Sequence, residues 1–224
     1  NMNNQPRALK SEEKQEKPPI AHYNWEERYR EESDLPWDSG IPAPELVEYF
    51  ALLKQEEQAY PAFVTEIGCG TGTNAVWMAA QGCSVVATEI APTAIEKAKQ
   101  RAGQANVKVA IHLLNICEES PVEAQSQDFV FDRGVYHVIP ETQRSTFVER
   151  VAEALKAGGH WLCLAGCKDE IRDNPEEGPP QLTAVALLEH VEPYFEIVKL
   201  ERSFFVLPSG KKHLAWKALY KRRP

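Results

Sequence analysis

The stretch Phe63-Val64-Thr65-Glu66-Ile67-Gly68-Cys69-Gly70-Thr71-Gly72 decides the fold. Its first half is apolar and β-branched and reads as a strand. Its second half carries three glycines at alternate positions. Glycine lets the backbone turn sharply and lets a ligand approach with no Cβ in the way. A helix is expected to follow through about Gln81, with Gly82 as its stop. The first turn of such a helix presents unpaired N–H groups and the positive end of a dipole.

The same strand–helix rhythm continues downstream. Residues 84–89 read as a second strand. Pro92 suits the first turn of a helix that lines up Ala94, Ala98 and Ala102. Residues 107–113 alternate and read as a third strand, and residues 128–131 as a short fourth. A helix is expected over 141–156, with Phe147, Val151 and Leu155 four apart and Gly158-Gly159 as its stop. Residues 160–164 form a fifth strand. Upstream, Leu46, Val47, Phe50 and Leu53 share one helical face.

The rhythm changes after residue 167. Residues 168–181 are charged and Pro-rich. A helix near 183–191 precedes two strands, near 195–205 and 213–220, joined by Pro208-Ser209-Gly210. Alternating units imply an α/β fold, a doubly wound and mostly parallel sheet with helices on both faces. The closing hairpin implies one antiparallel strand. In such sheets ligands bind at the carboxyl ends of the strands, where the glycine loop lies.

Composition excludes several classes. The net charge is −8, so a polyanion is a poor partner and no nucleic acid is expected. Hydrophobic content of 43% supports a packed core in one domain over 21–224. Residues 1–20 are polar and are expected to be a disordered tail. The five cysteines are odd in number and contain no Cys-x-x-Cys pair, which argues against a disulfide framework or zinc site. Cys163 and Cys167 lie in an apolar run and are expected in the core. No apolar stretch approaches the ~20 residues of a membrane span. With no apolar leader core, a cytoplasmic location is expected, as a monomer or weak dimer.

Glu89 ends the second strand, 21 residues after Gly68. An acid there can accept hydrogen bonds from ribose hydroxyls. Two cofactor classes fit a glycine loop with such a partner. Nicotinamide cofactors favour G-x-G-x-x-G, whereas here the third glycine is Gly72 and position 73 is Thr.

The order acid-x-Gly-x-Gly-x-Gly resembles motif I of class I S-adenosylmethionine-dependent methyltransferases. The resemblance implies a Rossmann-like seven-stranded sheet whose C-terminal strand is antiparallel, and S-adenosylmethionine as cofactor. It places Glu66, Gly68, Cys69, Gly70, Thr71, Gly72, Glu89 and Ile90 around that cofactor, with Asn115-Ile116 where such enzymes hold adenine. Asp132-Arg133-Gly134, followed by Ile139-Pro140 and Arg144, is similar to a segment of thiopurine S-methyltransferases, which puts Asp132 and Arg133 beside the cofactor. Trp25-Glu26-Glu27-Arg28-Tyr29 and Pro36-Trp37-Asp38-Ser39-Gly40 look like the N-terminal segment of plant thiol and halide methyltransferases. There the aromatics, matched by Trp25, Tyr29 and Trp37, fold over the cofactor, so a lid over about 21–55 is implied. Aromatic walls also suit a sulfonium cation on physical grounds.

Methyl transfer is an in-line displacement, and the enzyme mainly aligns the nucleophile and excludes water. His137 follows the fourth strand and is the candidate proton acceptor, with Tyr136 beside it. The expected acceptor is a small soft nucleophile, a thiol first. Oxygen, nitrogen, halide and tellurite acceptors stay open. So do a non-catalytic cofactor-binding module and a nicotinamide oxidoreductase.

Overall fold

The computed structural model describes residues 24–31 and 38–224. The expected tail at 1–20 lies outside them, as does Trp37. The described chain runs α1 (Trp25–Glu31), α2 (Pro44–Gln55), β1 (Phe63–Ile67), α3 (Thr73–Ala80), β2 (Ser84–Glu89), α4 (Pro92–Gln104) and β3 (Val109–Leu113). It continues through β4 (Gln127–Arg133), a 3-10 turn (Tyr136–Val138), α5 (Glu141–Ala154), β5 (Leu155–Gly166), α6 (Ala184–Leu188), β6 (Phe195–Val206) and β7 (Lys212–Arg222). The strands form one seven-stranded sheet in the order β3-β2-β1-β4-β5-β7-β6. β1 pairs in parallel with β2 and β4, while β7 is antiparallel to both β5 and β6. This is the doubly wound sheet that the alternation implies. Among the described residues, no helix is long and apolar enough to cross a membrane.

The sheet is buried on both faces, which is why its central strands are apolar at nearly every position. On one face Phe147 and Val151 of α5 pack over Val130 and Trp161. Trp161 sits among Tyr136, Phe195 and Tyr220, with ring centroids 4.9 to 5.8 Å away. On the other face Phe50 of α2 and Met78 of α3 cover Val64, Phe129, Phe131 and Leu162. Cys163 and Cys167 are fully buried, as their apolar setting suggests.

Several boundaries differ from the sequence reading. α4 ends in a tight cap in which the Val107 N–H reaches back to the Ala102 carbonyl at 3.1 Å, with Asn106 at φ 53°. β3 therefore starts at Val109. α5 stops at Ala154, and Leu155 already pairs with Gln127. Gly158-Gly159 is not a helix stop but an irregularity inside β5, where the register against β4 shifts between Gln127 and Phe129. α6 is only five residues long, capped by the Thr183 hydroxyl, which accepts from the Ala186 N–H at 3.1 Å. In α2 the inward face is turned: Glu45 is 6% exposed while Val47 is exposed.

Candidate active site

The site forms where β1, β2 and β4 end and α1 and α2 close over them. The backbone of the glycine loop is left-handed at Gly68 and Gly70, with φ +63° and +56°. A Cβ on Gly68 would lie 2.5 Å from a Val135 methyl, and one on Gly70 would lie 2.9 Å from the Tyr29 hydroxyl. Glycine is therefore required twice, for its dihedrals and for its missing side chain. The Cys69 N–H donates to the Thr88 carbonyl at 2.8 Å and ties the loop to β2. The Cys69 thiol turns back to the Gly70 carbonyl, and burial pushes it up.

Glu89 organises the loop. Its buried carboxylate accepts N–H bonds from Gly70 (3.0 Å), Ile90 (2.7 Å) and Ala91 (2.9 Å). Burial pushes its carboxyl up, and the three N–H groups pull it back. A carboxylate offers about four acceptor positions, so one remains. Ile90 is exposed beside it. Asn115 lies past β3, its Oδ1 accepting from the Cys117 N–H at 2.9 Å, and Ile116 is buried in the α5-side core.

The N-terminal segment is fastened to the glycine loop, to α3 and to α4. The Glu26 carboxylate accepts from the N–H and hydroxyl of Thr93 at the start of α4. Lys97 Nζ donates to the Tyr29 carbonyl at 3.0 Å. The Tyr29 ring is buried with Ala91 and Ala94, and Trp25 packs against them. Thr71 donates to Asp38 at 2.7 Å, and the Ala43 N–H donates to Asn74 Oδ1 at 2.8 Å.

A polar cluster lies under α2. Glu66 is fully enclosed, and burial pushes its carboxyl up to about 8. Arg133 carries its guanidinium 5.0 Å from the Phe205 ring centroid, near the carboxylates of Glu45 and Glu66. The Ser203 hydroxyl donates to Glu45 Oε1 at 2.7 Å. Glu45 Oε2, Glu66 Oε1 and Arg133 Nε are buried with no hydrogen-bond partner among the described residues. Buried polar atoms are nearly always bonded, so three orphans in one place point to a polar ligand. Glu45 is absent from the sequence-based site. Its helical position among apolar neighbours gives no sign that it faces inward.

Three expectations need correction. Asp132 is fully buried and both its oxygens are engaged. Oδ1 accepts from the Tyr136 N–H at 3.1 Å and Oδ2 from the Trp161 indole at 2.7 Å, on the α5 side of the sheet. It holds the 3-10 turn rather than facing the loop. Tyr136 is a core residue, its ring wedged between Phe147 and Trp161. His137 does lie on the site side, but its Nδ1 accepts the Gly166 N–H at 2.8 Å. The ring's acceptor nitrogen is thus occupied. Burial and the Arg133 and Arg172 charges lower its basicity to about 3. The ring is held neutral, with that nitrogen engaged.

A family model described as a methyltransferase domain matches residues 64–159. The chain is 24% identical to a 2-heptyl-1-hydroxyquinolin-4(1H)-one methyltransferase of Mycobacteroides abscessus, over 72% of this chain and 69% of that protein. It is 29% identical to the probable thiol methyltransferase 2 of Arabidopsis thaliana, over 75% and 70%. The fold matches a Burkholderia thailandensis 1,6-didemethyltoxoflavin-N1-methyltransferase solved with bound S-adenosylhomocysteine, with TM-score 0.69 at 17% identity, covering 99% of this chain and 94% of that one. The glycine loop and its acidic partner both fall inside the matched segment: residues 64–159 are a methyltransferase domain, with S-adenosylmethionine as its cofactor.

Proposed function

We propose that this enzyme methylates a small soft nucleophile, a thiol, at the carboxyl ends of β1 and β4. The carrying observation is the state of His137. Its only acceptor nitrogen is committed to Gly166, so the acceptor must reach the site as an anion or ionise with little help. A thiol does this at modest pH, because its ordinary pKa is about 8.5. The likeness to a probable thiol methyltransferase supports the same reading. The quinolone-methylating relative favours a heterocyclic acceptor as the second reading.

The residues present fit the cofactor. The remaining acceptor position of Glu89 suits a ribose hydroxyl. The orphaned Glu66 Oε1 suits the ammonium of a methionine tail. Gly68–Gly72 bring backbone close, and Asn115 and Ile90 border the adenine end, while Ile116 anchors that loop in the core. When bound, S-adenosylmethionine supplies a sulfonium methyl group. Arg133, beside Phe205, stands between the cofactor and the acceptor. Trp25, Tyr29 and Asp38 close the site from above and exclude water.

With labelled cofactor, small thiols are expected to be turned over, and phenols, amines and a bulk protein–RNA extract are not. Robust turnover of any of the latter, with thiols and halides inert from about pH 6 to 9, would overturn the thiol reading.

The lid reading makes its own prediction. α1 is held to α4 by Glu26, Lys97 and the Tyr29 ring, a small contact that can open. Tryptic cleavage near Arg28 and Arg30 is expected to slow when S-adenosylhomocysteine is added. Equal cleavage rates with and without saturating ligand would show that the segment does not respond to the cofactor.

A further inference from the structure

The connection 167–182 leaves β5 and folds back on it. Its two ends are pinned by the Leu182 N–H to the Gly166 carbonyl at 2.8 Å and the Lys168 N–H to the Leu182 carbonyl at 2.9 Å. A Cβ on Gly166 would lie 1.9 Å from the Pro180 carbonyl oxygen, so the returning chain rests directly on the end of β5. Between these ends Arg172 turns inward. Its side chain is 8% exposed, while its neighbour Ile171 is 98% exposed.

The surroundings of Arg172 account for most of its donors, but not all. Nη1 donates to the Pro179 carbonyl at 2.9 Å. Nε donates to Glu170, whose carboxylate also accepts the Leu214 N–H at 2.7 Å and faces His213 at 3.3 Å. Nη2 is buried and has no hydrogen-bond partner among the described residues. Glu170 and Pro179 thus hold the guanidinium at Nε and Nη1 and leave Nη2 unsatisfied among the described residues.

Arg133 is a second buried arginine with an unused donor. The Glu45 and Glu66 carboxylates lie near it, and its Nε is buried without a partner among the described residues. His137 is linked to the surroundings of both arginines. It packs edge-on at 5.7 Å against Phe205, the ring beneath the Arg133 guanidinium, and is bonded to Gly166, on which Pro180 rests. Beyond its burial, both arginine charges keep the imidazole neutral. A neutral ring acted on by two guanidinium charges, each group with an unused buried N–H, suits negative charge.

We propose that Arg133 and Arg172 form a two-pronged anion subsite beside His137, and that the methyl acceptor is held there by a negative charge. That charge is the reacting thiolate itself or a carboxylate carried by the acceptor. The thiolate form rests on the thiol reading above; the carboxylate form does not.

The test measures binding to the S-adenosylhomocysteine complex by ligand-observed NMR, with thiocyanate, mercaptoacetate, acetate and neutral 2-mercaptoethanol as probes. At least one anion is expected to bind about tenfold more tightly than 2-mercaptoethanol. Arg172→Gln is expected to erase that preference, and Arg172→Lys to restore part of it. Tight thiocyanate assigns the charge to the reacting atom. Acetate and mercaptoacetate without thiocyanate assign it to a carboxylate. Arg172-dependent acetate binding with no thiol turned over would sink the thiol reading and leave the subsite standing. Equal binding of charged and neutral probes by the wild type would overturn the subsite, and so would a folded Arg172→Gln protein that keeps the preference. If Arg172→Gln does not fold, the wild-type comparison and the Arg172→Lys protein decide.

Discussion

Glu89→Ala is expected to abolish useful binding of S-adenosylhomocysteine. The carboxylate satisfies three N–H groups, those of Gly70, Ile90 and Ala91, at 3.0, 2.7 and 2.9 Å. Alanine leaves all three without an acceptor in a site where Glu89 itself is 6% exposed. A stranded buried donor costs about 1–3 kcal/mol, though loop relaxation and water return part of that. The cradle loosens at the point where the ribose would bind, and the ribose acceptor goes with it. A loss of about 2–4 kcal/mol, or roughly 30- to 1,000-fold in affinity, is expected by calorimetry. The melting temperature should fall as well. Glu89→Gln should rescue little, because its amide NH2 meets donors where the second oxygen accepted. Wild-type affinity in a folded Glu89→Ala protein would remove Glu89 from the cofactor site.

The second large effect is on stability against pH. Burial raises the Glu66 carboxyl from 4.5 to about 8. Between those values the folded chain keeps a proton that the unfolded chain has released. Stability from this group is complete below about pH 4.5 and is lost as pH rises toward 8. Asp132, raised by burial to about 6, acts in the same direction. His137 acts oppositely. Burial lowers it from 6.5 to about 3, so the unfolded ring takes a proton that the folded ring refuses. Its contribution is complete above about pH 6.5 and is lost as pH falls. The ligand-free protein is therefore expected to be most stable in mildly acid solution and to lose stability on both sides. Glu66→Gln should flatten the alkaline arm in melts across a pH series. An unchanged slope between about pH 5 and 8 in that variant would show that Glu66 does not hold a proton in the fold.

Much of this architecture is legible in the chain. β1 and β2 were readable to the residue because apolar runs end at glycine on one side and at an acid on the other. The alanine stripe of α4 is buried as its spacing implies. Legibility fails where one residue can serve two elements. Leu155 continues the helical spacing of Phe147 and Val151, yet it opens β5, because the extended chain there reaches Gln127. Neighbours on a 3-10 turn face different sides of the sheet, so Tyr136 enters the core while His137 enters the site. No pattern of charge along 168–181 separates Arg172 from its solvated neighbours. Only the fold-back onto Gly166 buries it. Glu45 is hidden for the same reason. What draws a carboxylate inward is the Arg133 charge and the Ser203 hydroxyl, which approach it from β4 and β6.

The position of β7 carries a consequence for how the protein is made. β7 follows β6 in the chain but lies inside it in the sheet, between β5 and β6. On the ribosome, β6 has no neighbour to join until β7 has emerged. β1 and β2, which carry the glycine loop and its acidic partner, pair residues 21 apart, while β5 waits for β7, whose partners lie 49 to 61 residues further on. A nascent chain thus pairs the strands around the glycine loop before β5 gains the partner that closes the sheet.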